Sequence, residues 1–214
     1  MDISGVPVPY MIDTCVLREL HLPRPFWRVR RAVDDLWMED VHMSVVTFAI
    51  MQGNVLRLPQ EFKQNRVKNW MSEMKRKLGK NLHGVDYETS VIWGQIMTNA
   101  SRRRLKLPYH DSLVAATAKR HELTVITRNV GCFAPFNIEV LNPWADPKES
   151  GYDFGEKPAS DTIEPGSTSA EFLVSHAPDV LGEPGADEMQ DDANAGDPDF
   201  DMAAAMAEMD GKAA

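Results

Sequence analysis

His110-Asp-Ser-Leu-Val-Ala-Ala-Thr-Ala118, with Leu123-Thr-Val-Ile-Thr-Arg-Asn129 close behind it, places one carboxylate at the start of a small-residue helix and then returns the chain to a buried strand. Asp111 stands in the first helical turn, where unpaired backbone N–H groups and the helix dipole favour an anion. A second acid, Asp13, closes the short apolar run Val8-Pro-Tyr-Met-Ile-Asp13, which reads as a buried parallel strand. In open α/β sheets, sites form beyond the carboxyl ends of the strands. Two acids meeting there suit a hard, oxygen-preferring cation such as Mg²⁺ or Mn²⁺.

Outward from these two segments, helical and strand patterns alternate. Phe26, Val29, Val33 and Leu36 keep helical spacing after Pro23 and Pro25, Val41 to Val46 reads as a strand, and Thr47 is placed to cap a helix carrying Ile50. Gln60 to Leu78 predicts a helix with Phe62, Val67, Trp70, Met74 and Leu78 on its apolar face and Gly79 as its stop. Asp86 caps a further helix running toward Arg104, and Thr124–Thr127 and Ile138–Leu141 supply more strands. Trp70 and Trp93 fall within helical patterns and read as core rather than as base-stacking platforms. The alternation predicts an α/β fold with a central parallel sheet covered on both faces.

At four places in order the chain resembles the PIN-domain family, and within it the toxin-type endoribonucleases of the VapC and FitB groups of toxin-antitoxin (plasmid stability) systems. Met11-Ile-Asp-Thr-Cys-Val-Leu-Arg-Glu-Leu20 is similar to that family's hydrophobic-D-T-N-V-x-x-E-L opening, and Ser44-Val-Val-Thr-Phe-Ala-Ile-Met51 to its S-V-[IV]-T-x-x-E-I. Leu107 to Ala118 and Val125-Ile-Thr-Arg-Asn-Val130, followed by Leu141-Asn-Pro-Trp144, carry the rest. The resemblance implies a PIN-like three-layer α/β/α sandwich over residues 1–144 and cleavage of single-stranded RNA by metal-activated water. It implies catalytic, Mg- or Mn-binding roles for Asp13 and Asp111, with Thr14, Thr127, Asn129 and Cys132 shaping the site. It also implies RNA as substrate, an antitoxin partner and a homodimer.

The departures from that pattern bear on chemistry. The family builds its site from four acids, and here the second position is Ile50, the fourth is Cys132, and the Asn of the D-T-N opening is Cys15. A well-charged metal site needs several carboxylates. Two readings of function therefore stand: a toxin-type metal-dependent endoribonuclease, weakened in this descendant, or an inactive PIN-fold module that binds RNA or a partner protein. The cysteines and His110 raise the alternative of a Zn²⁺ site with Asp13 and Asp111, against which stands the plainer reading of free cysteine as a small buried apolar group. Zinc is not the expectation.

Of the 214 residues, 1–144 carry 20 Lys and Arg against 14 Asp and Glu, while 145–214 carry 3 against 18. A mildly basic body is compatible with a phosphate backbone, and Arg102, Arg103, Arg104, Lys106 and Arg128 are the candidate RNA contacts, although basic residues also suit a helix C-terminus. The acidic remainder, rich in Pro, Gly, Ser and Ala, reads as a disordered tail. Phe200, Met206 and Met209 near its end fall on one face of a short potential helix, which would fold back on the body and compete with RNA, or else remain a solvated tail. No stretch reaches the length of a membrane span, no leader-like start is present, and two cysteines make no disulfide scaffold, so the expected location is the cytoplasm.

Overall fold

The computed structural model of the chain describes residues 9–22, 24–56 and 61–146, together with Lys148, Gly155 and Leu173. Pro23, Gln60 and the stretch from Phe200 to Met209 lie outside the described residues, as does nearly all of the acidic region. Five parallel strands, β1 (Tyr10–Ile12), β2 (Val41–Ser44), β3 (Leu82–His83), β4 (Thr124–Ile126) and β5 (Val140–Leu141), form one sheet in the order β3-β2-β1-β4-β5. The central strand β1, Tyr-Met-Ile, is apolar and wholly buried because both of its faces are covered, whereas the edge strand β3, Leu-His, is half-buried. Among the described residues six α-helices connect and cover the strands: α1 (Thr14–Leu20), α2 (Trp27–Asp34), α3 (Val45–Leu56), α4 (Glu61–Leu78), α5 (Tyr87–Arg102) and α6 (Tyr109–Arg120).

Pleating divides the apolar residues into two cores. Ile12, Val41, Met43 and Ile126 face the cluster built with Val16, Leu17, Val29, Val33, Trp70 and Met74 of α1, α2 and α4. Met11 and Val125 point the other way, into Ile96, Ala100, Val114, Ala115 and Ala118 of α5 and α6. The run of alanines lets α6 lie close against α5 and the sheet, and no large side chain of the helix is needed to fill that layer. The result is the three-layer α/β/α arrangement that the alternating pattern predicts.

Several local predictions hold for the reasons given. The Asp86 side chain accepts the Thr89 N–H at 3.1 Å and caps α5, while Gly79 takes a left-handed φ of 51° just after α4. Trp70, Met74 and Leu78 are buried along α4. Two readings are corrected. Val45 and Val46 belong to α3, not to the preceding strand, so Thr47 sits one turn inside the helix and caps nothing; its buried hydroxyl has no partner among the described residues. Ser44 ends the strand, and its Oγ accepts the Val46 N–H at 3.2 Å, turning the chain into the helix without the expected threonine. The helix that Asp86 caps runs to Arg102, two residues short of Arg104, which adopts a left-handed φ of 55°.

Candidate functional site

The strand order reverses between β1 and β4, and that reversal is where an open parallel sheet leaves a crevice at its carboxyl edge. Asp13 follows the last residue of β1, and Thr127 follows the last residue of β4. Ile12 and Ile126 are register partners, and the Asp13 N–H reaches the Ile126 carbonyl at 3.3 Å. Asp13 is the N-cap of α1, its Oδ1 accepting the Thr14 N–H at 2.7 Å. Its Oδ2 accepts the Thr127 hydroxyl at 2.6 Å and the Cys15 thiol at 3.3 Å. The carboxylate is thus buried, 3% exposed, yet bonded on both oxygens.

Asp111 arrives from the opposite direction, in the first turn of α6, 7% exposed. Cys132 donates its thiol to Oδ2 at 3.2 Å, and His110 Nε2 lies 3.4 Å from Oδ1. Burial raises the Asp111 pKa, and the neighbouring charge of Asp13 raises it further, against the opposing pull of His110 and the Cys132 thiol. Two carboxylates that feel each other in a desolvated crevice make a site of concentrated negative potential. Burial and the nearby acid also push Cys132 up to about 12 and Cys15 well above the usual thiol range. Both sulfurs act as neutral donors to the acids beside them.

The supporting residues fall into place unequally. Thr127 orients Asp13, and its Oγ also accepts the Asn129 N–H at 2.9 Å, so Asn129 contributes its backbone to the pocket wall. Thr14 contributes its N–H to Asp13, while its own buried hydroxyl has no partner among the described residues. Ile50 is half-buried in α3, which springs from the carboxyl end of β2. Arg128 is exposed at the rim with its guanidinium 5.6 Å from the centre of the Trp144 ring. Arg102, Arg103, Arg104 and Lys106 are exposed, and Arg103 donates to the Pro135 carbonyl at 2.7 Å beside a cavity of about 260 Å³ that none of the acid-pocket residues lines. Sequence reading missed Arg18, whose half-buried guanidinium has its pKa lowered by burial and by Arg128, against the opposing pull of Cys15, Glu19 and, least, Asp13. Its signal was its place one helical turn beyond Thr14 on the same face of α1.

The donor set admits a test against a divalent ion. Asp13, Asp111 and the Thr127 hydroxyl are hard oxygen donors, and two carboxylates suffice for one hydrated Mg²⁺ that also takes substrate oxygens. Among the described residues no three His, Cys, Asp or Glu side chains are grouped so as to hold an ion unaided. The residues therefore fit one solvated hard cation; they do not fit a pair of metals clamped by four acids.

The model of the PIN domain matches residues 10–134, a span that begins at β1 and ends just past Cys132. The chain belongs to the PIN-domain family. This PIN domain is 33% identical to toxin FitB of Neisseria gonorrhoeae over 137 residues, which cover 64% of this chain and 99% of that protein. It is 24% identical to VapC ribonuclease Y4jK of Sinorhizobium fredii over 63% of this chain and 96% of that one. The crystal structure of FitAcB from N. gonorrhoeae superposes with a TM-score of 0.59 at 32% identity, covering 63% of this chain and 98% of that one. The fold and the order of elements are those of PIN domains, and the toxins FitB and VapC stand among its relatives.

Proposed function

We propose that this PIN domain is a metal-dependent endoribonuclease of the toxin type, attenuated by the loss of two acids from its pocket. The observation that carries the reading is the convergence of two buried carboxylates, Asp13 at the end of β1 and Asp111 in the first turn of α6, with Asp111 held above the usual carboxylate range by burial and by Asp13. Neutralising that potential is what a cation does best. Asp13 and Asp111 are the ligands for Mg²⁺ or Mn²⁺, which when bound supplies a Lewis acid for the phosphate and a more acidic water. Thr127 and the Thr14 N–H hold the Asp13 carboxylate in place, and Asn129 braces Thr127. Arg128, Arg102, Arg103, Arg104 and Lys106 are the exposed cations available to an RNA backbone, a sequence-independent and salt-sensitive attraction. By likeness to toxin FitB, VapC ribonuclease Y4jK and the FitAB complex bound to DNA, the proposed partner protein is an antitoxin; a homodimer, implied by the family resemblance alone, is the proposed assembly.

Cleavage of a mixed single-stranded RNA pool by the purified chain with Mg²⁺, with Asp13→Asn as control, tests the reading. Weak metal-dependent cleavage that the substitution abolishes is the expected result. RNA binding without cleavage in either protein supports the second reading, a binding module that has lost catalysis. One observation favours that alternative: Cys132 offers Asp111 a thiol where the family pattern has a further acid, so the pocket gains a neutral donor in place of a ligand.

A further inference from the structure

Trp70 lies in the middle of α4, 2% exposed, and its indole Nε1–H donates to the backbone carbonyl of Leu173 at 3.2 Å, across 103 residues of sequence. Leu173 is itself fully buried and belongs to the same apolar cluster as Leu20, Trp70, Met74 and Leu78. His21, at the C-terminal end of α1, also packs against the indole, edge-on with ring centroids 5.5 Å apart. The α1–α4 face thus receives a residue that lies outside residues 10–134, the span matched as the PIN domain. We infer that this face is a docking site for a short apolar segment, and that the chain supplies the occupant itself, the segment around Leu173, as an intrachain clasp.

Three features of the chain support that assignment. Phe172-Leu173-Val174 is the one run of three large apolar residues between 145 and 214 in an otherwise polar, acidic stretch. Residues 161–180 contain four acids and neither Lys nor Arg, whereas residues 61–78, which form α4, contain six Lys and Arg against two Glu. Charge therefore draws this segment to the helix that carries Trp70. The geometry supplies the specific part: an indole N–H that needs an acceptor once water is excluded, and a leucine side chain that enters the core beside it. Tethering makes a contact of this size effective, because a linker of this length holds the segment at a local concentration on the order of millimolar. Any partner protein that uses the α1–α4 face must displace the clasp.

Indole N–H exchange in the full-length chain reads the contact directly. Five indole signals are expected from Trp27, Trp37, Trp70, Trp93 and Trp144, with that of Trp70 assigned by its loss in Trp70→Phe. In the native chain the Trp70 N–H exchanges slowly; in Leu173→Asp its exchange quickens roughly tenfold or more while Trp93 keeps its rate, as local opening without global unfolding requires. A synthetic peptide spanning residues 166–180, added at about 1 mM to match the tethered concentration, restores the protection. Unchanged Trp70 exchange in Leu173→Asp overturns the clasp. Loss of protection at Trp93 as well, or failure of the peptide to restore Trp70, overturns the docking site in its favour as an integral part of the core. Protection that grows with protein concentration overturns the intrachain assignment and gives the occupant to a second copy.

Discussion

Asp111 is a residue whose burial works against stability and in favour of chemistry. Its pKa is raised in the fold, so the native state holds its proton to higher pH than the unfolded chain does. Stability therefore falls as pH rises from the ordinary carboxylate range through the raised folded value, the cost of ionising Asp111 in its buried place. Asp111→Asn should remove it: a melting temperature higher at pH 7 by the equivalent of about 1 kcal/mol, together with loss of any metal-dependent cleavage. A lower melting temperature would show that the carboxylate is held by partners stronger than the Cys132 thiol. Cys132 and Ile50 are the complementary case. Cys132→Asp places a third acid beside Asp111, whose Oδ2 lies 3.2 Å from the native thiol, and Ile50→Glu adds one from α3, so the double variant should melt lower without metal, recover on adding Mg²⁺, and cleave RNA roughly tenfold faster than the native chain. A rate that stays flat while Mg²⁺ raises the melting temperature would separate metal binding from catalysis.

At the scale of elements, three histidines tie β2, β3 and the end of α6 together. His42 Nδ1 lies 2.8 Å from His83 Nε2 in nearly coplanar rings, and the His121 ring packs over His83 with centroids 3.9 Å apart. A nitrogen-to-nitrogen hydrogen bond needs one N–H and one lone pair, so two doubly protonated rings break it. Burial and the charges of His121, His42 and Arg120 press His83 down to about 4; burial, His121 and Lys80 lower His42 against the pull of Asp40, and burial and Arg120 lower His121. Folded pKa values below the ordinary 6.5 mean that the unfolded chain takes up protons first as pH falls. Stability should be complete above about pH 6.5 and decline down to about pH 4, and His83→Gln should flatten that decline in denaturant melts taken across the range. An unchanged slope would assign the acid sensitivity to other groups.

The whole molecule joins a body with an excess of Lys and Arg to an acidic remainder, and Leu173 is the described point at which the remainder enters the core. Ending the chain at residue 144 should therefore cost stability, about 2–4 kcal/mol for a buried leucine and an indole N–H left without its acceptor. Calorimetric or denaturant unfolding of the two lengths checks it, and equal stabilities would remove Leu173 from the core. The same pair of proteins, compared at a temperature where both are folded, tests whether the acidic stretch competes with RNA. Tighter and more salt-sensitive RNA binding by the shorter chain is the expected outcome of masking, and equal affinities at low salt would exclude it.

Much of this was legible locally because local physics produced it. The alanine-rich helix with Asp111 in its first turn, the cap at Asp86, the stop at Gly79 and the buried stripe of Trp70, Met74 and Leu78 each follow from spacing and backbone preference within a few residues. Where the reading failed, the deciding interaction was non-local or too short to leave a period. β3 is two residues long, and the edge of β2 was given two valines that tertiary packing assigned to α3. The acids and their meeting beyond the strand ends were readable, although Asp13 and Asp111 are 98 positions apart; the strand order, whose reversal between β1 and β4 opens the crevice, was not. By itself the sequence determined the alternation of strands and helices, the family and the loss of two acids, since these rest on residue identity and order. Tertiary structure decided that Cys132 bonds to Asp111, that three histidines meet at β2, β3 and the end of α6 and that Leu173 caps an indole, because long-range contacts are selected by burial of the assembled surfaces and leave no periodic trace in the chain.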